Sequence, residues 1–255
     1  MRRREKFVIT SILLSFGLLG IQYVSLEARY WAVGLFLIVS YFMSAWALAD
    51  DLEIHEWLTV VPFPALYAVS VSLFYFLLPE GITSQFILLA VFGIGMYALF
   101  LTSNIYSVAK GRTIQLLHAA YAIGLLFTLM TSLLFTNTIF GLRLPFYLNG
   151  LFSGLVHFPL ILMSLWSIRL ENYISGEILA LSGVLTLFLI ELTIAISFYP
   201  FSAWNIALFV MAFIYVSLGI LHSFLKERLF ESTLREYSLV ATFVIIMFVI
   251  LFPYK

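Results

Sequence analysis

The chain has no cysteine among its 255 residues. Disulfides, thiolate nucleophiles, cysteine-ligated metals and lipidated cysteines are therefore excluded. Charge is nearly as scarce. Asp, Glu, Lys and Arg make up 10% of the sequence, against about 25% in a soluble domain. The net charge is zero and no long basic run occurs, so nucleic acid is not an expected partner. Familiar enzyme signatures are missing as well. There is no His-Glu-x-x-His and no Walker loop. Gly93-Ile94-Gly95 lacks the rest of a dinucleotide fingerprint and lies inside an apolar run. Gly150-Leu151-Phe152-Ser153-Gly154 is one residue too long for the Gly-x-Ser-Gly of intramembrane serine proteases. No cofactor is expected.

What is present is apolar. Hydrophobic residues make up 63% of the chain, with 26 Phe and 14 Tyr, and the mean hydropathy is +1.09. Such a chain cannot cover itself with polar surface, so its outer solvent must be lipid. It divides into about nine stretches of spanning length, by the ~20-residue criterion. The expected spans are 7–25, 30–49, 58–79, 86–106, 114–138, 149–168, 177–199, 203–225 and 238–254. The expected fold is all-α: a polytopic transmembrane helix bundle forming one integral membrane domain over residues 1–255.

The charges orient it. With the N-terminus in the cytoplasm and the C-terminus outside, ten of the thirteen Lys and Arg fall on the cytoplasmic side. Only Arg29, Arg143 and Lys255 fall outside. That is the positive-inside bias. The first apolar run, from Phe7 to about Ser25, is longer than the ~7–15-residue core of a signal peptide, so a retained span is expected. Tyr23, Tyr30, Trp31, Trp57, Tyr147, Trp204 and Tyr254 lie near expected span ends, the depth that amphipathic rings prefer.

Three constellations carry polar chemistry. Glu191 is a carboxyl at membrane depth, costly unless partnered. His157 lies on the preceding helix at a similar expected depth, beside the small-xxx-small pair Gly150 and Gly154. A His157–Glu191 polar pair is the expectation, as a clamp between helices or as a proton relay. The second constellation is the acidic segment Asp50-Asp51-Leu52-Glu53-Ile54-His55-Glu56, without Lys or Arg. Its oxygen ligands suit Mg²⁺, with Asp50, Asp51, Glu53 and His55 as the metal candidates; no second acidic motif faces it, and a solvated loop or a docking surface for a basic partner is the simpler reading. The third is the Thr102–Gln115 segment with His118. Asn104, Lys110, Arg112 and His118 there could contact a lipid headgroup or a phosphate-bearing ligand. The charges from Lys226 to Glu236 suggest a short interfacial helix.

The stretch Asn-Ile-Tyr-Ser-Val-Ala-Lys-Gly-Arg-Thr-Ile-Gln-Leu-Leu-His-Ala-Ala, Asn104 to Ala120, resembles a segment of a family of bacterial multi-spanning membrane proteins of unknown function. So do Leu144-Pro145-Phe146 with Asn149-Gly150, and Glu56-Trp57-Leu58-Thr59. The resemblance covers most of the chain. It implies an integral membrane protein of a bacterial cytoplasmic membrane and carries over no functional residue.

With charge inside the membrane nearly limited to Glu191, the expected role is non-enzymatic: a membrane subunit or scaffold of an envelope complex, in contact with lipid and a membrane protein partner. A carrier or flippase for a lipid-linked or amphipathic substrate is the second reading. A membrane enzyme acting on polyprenyl phosphates is the third.

Overall fold

The computed structural model describes residues 2–25, 27–77, 81–109 and 116–250. They form helices α1 (Arg3–Gln22), α2 (Arg29–Leu48), α3 (Glu56–Thr59), α4 (Pro62–Tyr75), α5 (Ile82–Val108), α6 (Leu117–Gly141), α7 (Phe146–Arg169), α8 (Gly176–Ile196), α9 (Ala203–Leu225) and α10 (Glu231–Ile250). With α3 and α4 counted as one segment, nine helices among the described residues are long and apolar enough to cross a membrane. The all-α helix bundle is thus the fold.

Local chemistry explains the boundaries. Pro62 occupies the first turn of α4, where a missing backbone N–H costs nothing because that donor has no helical partner. The third span is thus interrupted near its start, between α3 and α4. Ser175 and Ser202 cap α8 and α9, accepting from the N–H of Ile178 at 3.4 Å and of Asn205 at 3.2 Å. Left-handed residues end three helices: Arg143 (φ 52°) after α6, Leu170 (φ 50°) after α7 and Glu227 (φ 55°) after α9. Glu231 to Glu236 are not a separate interfacial helix. They are the first turns of α10, with Glu231 at its positive N-terminal end.

The helices group into two compact units. One covers the described residues of Met1–Phe127 with Leu170–Tyr173. In it α1 packs on α2 and α5, and α2 on α4. Phe7 stacks on Phe100 at 5.9 Å, and Tyr67 stacks on Phe92 at 5.8 Å while meeting Phe127 edge-on at 5.2 Å. Tyr106, fully buried, donates to the carbonyl of Ala120 at 2.8 Å and so ties α5 to the start of α6.

The other unit covers Thr128–Arg169 and the described residues from Ile174 onward. Its tightest pair is α7 on α8. A Cβ on Gly150 would stand 2.7 Å from Cγ1 of Ile194, and one on Gly154 would stand 2.5 Å from Cδ1 of Ile190. The two glycines are notches that let α8 approach α7, as small residues do in membranes. α9 packs on α7, and α10 packs on α9. No residue of α10 is buried. Its Phe248 stacks on Phe201 and Phe209, each at 4.1 Å.

Candidate functional site

Within the second unit, α6 and α7 each carry a polar stripe spaced by four residues. On α6 it is Thr128, Ser132 and Thr136; on α7 it is Asn149, Ser153 and His157. All six are at most 4% exposed. Four-residue spacing keeps each stripe on one helix face. The helices are consecutive and antiparallel, and Ser132 Oγ lies 2.8 Å from His157 Nε2. That bond fixes the register. Carried one turn along each helix, that register puts Thr136 of α6 and Ser153 of α7 at the same level.

The histidine's hydrogen positions follow from its partners. Nδ1 is 2.7 Å from the carbonyl oxygen of Ser153. A carbonyl only accepts, so Nδ1 carries the hydrogen. In the neutral ring Nε2 then accepts from the Ser132 hydroxyl. The rest of the seam is less complete. Thr136 Oγ1, Ser153 Oγ and Asn149 Oδ1 are buried without a hydrogen-bond partner. The Asn149 amide nitrogen donates to the Leu144 carbonyl at 3.3 Å and to Ser197 Oγ at 3.0 Å. α8 contrasts with this. Its buried Ser182, Thr186 and Thr193 each donate to a carbonyl one turn back, at 2.7 to 2.9 Å.

The structure does not join His157 to Glu191. Both ring nitrogens are taken by Ser132 and Ser153, and Glu191 lies on the outward face of α8. That face also presents Val184, Leu187 and Phe188, all more than half exposed. The residue that meets α7 is Ile190, one position and about 100° away around the helix. The depths differ too. At about 1.5 Å per residue, His157 lies about 17 Å from the start of α7 and Glu191 about 8 Å from the end of α8, measured from the same side. Among the described residues Glu191 has no hydrogen-bond or ion-pair partner.

The acidic segment finds its cations at the start of α1. Arg3 Nη2 donates to Asp51 Oδ1 at 2.9 Å, and Lys6 Nζ donates to Asp50 Oδ1 at 2.7 Å. The bond from Lys6 holds the Asp50 carboxyl below the usual carboxylate range, assisted by the charge of Arg3 and partly offset by desolvation. His55 Nδ1 is 3.5 Å from Glu53 Oε2. Among the described residues no group of three or more metal-ligating side chains gathers. Of the headgroup candidates, Asn104 is half-buried on α5 and His118 is exposed on α6. Lys110 and Arg112 lie outside the described residues, as does Tyr254. Tyr23, Tyr30, Trp31, Trp57, Tyr147 and Trp204 are exposed at or near helix ends.

Sequence reasoning found His157 and missed the α6 stripe beside it. The signal was three hydroxyl residues at four-residue spacing inside an apolar run. No family model matches this chain, and no curated protein or solved structure is similar to it.

Proposed function

We propose that this integral membrane protein is a non-enzymatic subunit of a larger assembly in a bacterial cytoplasmic membrane, with its N-terminus in the cytoplasm. One observation carries the reading. Glu191 lies on an outward face of a spanning helix, about 8 Å from its end by helical rise, with no partner among the described residues. A carboxyl at that depth costs several kcal/mol if charged and alone, and such groups normally pair.

The partner that fits is a transmembrane helix of another protein carrying Lys or Arg at the same depth. A second copy does not supply it. The Lys and Arg in this chain's described helices sit within two turns of a helix end. Arg235, the furthest in, is near the start of α10, which runs parallel to α8 and so lies on the opposite side from Glu191.

A photoreactive benzoylphenylalanine at Leu187, introduced into the full chain in native membranes, tests this. The expected adduct is one protein whose crosslinked span bears Lys or Arg level with Glu191, and Glu191→Leu abolishes it. Adducts with lipid alone, or with a second copy of the chain, overturn the reading.

A carrier or flippase for an amphipathic substrate is the second reading. The buried polar seam at His157 supports it, because a path for polar groups needs such a lining. Uptake or flipping by the purified chain in vesicles, lost in Ser132→Ala, would favour it over a subunit.

A further inference from the structure

We propose that α6 and α7 enclose a one-sided, water-occupied pocket that opens toward the 142–145 connection and ends at His157. The proposal does not depend on the subunit reading. It rests on three buried polar atoms without partners: Thr136 Oγ1, Ser153 Oγ and Asn149 Oδ1. All three residues are at most 4% exposed. A buried polar group left unpaired is destabilising, and in a membrane-embedded interior no bulk water compensates it.

A helical Ser or Thr has an easy alternative, the carbonyl one turn back. Thr138 takes it on the same helix, donating to Leu134 at 2.9 Å. Thr136 and Ser153 do not take it, although each lies one turn from the His157–Ser132 bond. They are not bonded to each other either. Two buried hydroxyls at one level, each lacking a partner, are what a bridging molecule with its own donors and acceptors requires.

The lining selects that molecule. The residues named offer hydroxyls, an amide and an imidazole and carry no charge when the histidine is neutral, so an ion would find no counter-charge among them. A neutral hydrogen-bonding molecule fits, and water makes the two to four bonds that such sites supply. The pocket has one open end. Counted at about 1.5 Å per residue from the α6–α7 connection, Asn149 lies about 5 Å in, Thr136 and Ser153 about 8–11 Å, and His157 about 17 Å. Beyond the histidine α7 is apolar from Phe158 to Met163, with Leu160 and Ile161 at 1% exposure or less. His157 is thus wetted from one side of the membrane and sealed from the other.

Two measurements on the full chain in lipid nanodiscs test this. Thr136→Val keeps the shape and removes the hydroxyl. If that hydroxyl anchors water, the unfolding midpoint falls. If it is merely buried and unmatched, the midpoint rises. The absence of native cysteine allows the second test. Thr136→Cys and Ser153→Cys are treated with 2-aminoethyl methanethiosulfonate, with lipid-facing Leu155→Cys and sealed Leu160→Cys as references. The expected result is reaction at 136 and 153 at least tenfold faster than at 155 and 160. A raised midpoint for Thr136→Val, or reaction at both pocket cysteines no faster than at 155, overturns the proposal.

Discussion

The side chain of Ile190 fills the notch that Gly154 leaves on α7, its Cδ1 standing 2.5 Å from where a Cβ would be. Ile194 stands over Gly150 one turn further on. Ile is stiff at χ1, so α8 must move back if the notch is filled. Gly154→Val is expected to destabilise the protein by about 1–3 kcal/mol, the usual cost of overpacking. Thermal unfolding in nanodiscs measures it. A neutral result would mean that α8 does not dock in this register.

The ion pairs Lys6–Asp50 and Arg3–Asp51 make stability pH-dependent at the acid end. The Asp50 carboxyl is held below its ordinary value of 3.8 in the folded chain. Its contribution is therefore complete above that value and is lost as pH falls through the lower, folded value. Lys6→Met should lower the unfolding midpoint at pH 7, and the gap from the parent should close as pH falls below about 4. The effect should be small and sensitive to salt, because the pair is solvent-exposed. A gap that is constant from pH 7 to pH 3 would show that the pair contributes nothing.

Arg143 holds a left-handed backbone conformation, φ 52°, where glycine alone is free of Cβ strain. Its side chain is exposed. Arg143→Gly is expected to stabilise the protein by about 1 kcal/mol. Denaturation of the two chains in the same detergent decides the sign.

Orientation is readable by labelling. Glu53→Cys should react with an impermeant maleimide only after the membrane is permeabilised, whereas Arg143→Cys should react in intact cells. The reverse pattern would turn the whole bundle over.

Much of this bundle was legible in the sequence because lipid demands long apolar runs; α9, Ala203–Leu225, matches the expected span residue for residue. The faces were not legible. Leu187 points outward and Leu189 inward, yet both are leucines. Between a protein interior and lipid tails no hydropathic difference marks which face packs. Glu191 was therefore expected to face α7, whereas Ile190 and Ile194 make that contact. Gly150 and Gly154 were legible because a notch is a matter of size rather than polarity. The clamp on Asp50 and Asp51 was hidden because its cations lie 44 and 48 residues earlier.

That separation matters while the chain is being made. When α1 leaves the ribosome, Arg3 and Lys6 are without these partners, since Asp50 and Asp51 have yet to emerge. Free cations hold a helix end in the cytoplasm. Once α2 has followed, the same groups are neutralised by the carboxylates at its far end. In the proposed orientation, cations that would hold the N-terminus in the cytoplasm are thus absorbed into the finished hairpin. Replacing Arg3 or Lys6 is therefore expected to disturb both biogenesis and stability, whereas Asp50→Asn is expected to weaken only the finished protein.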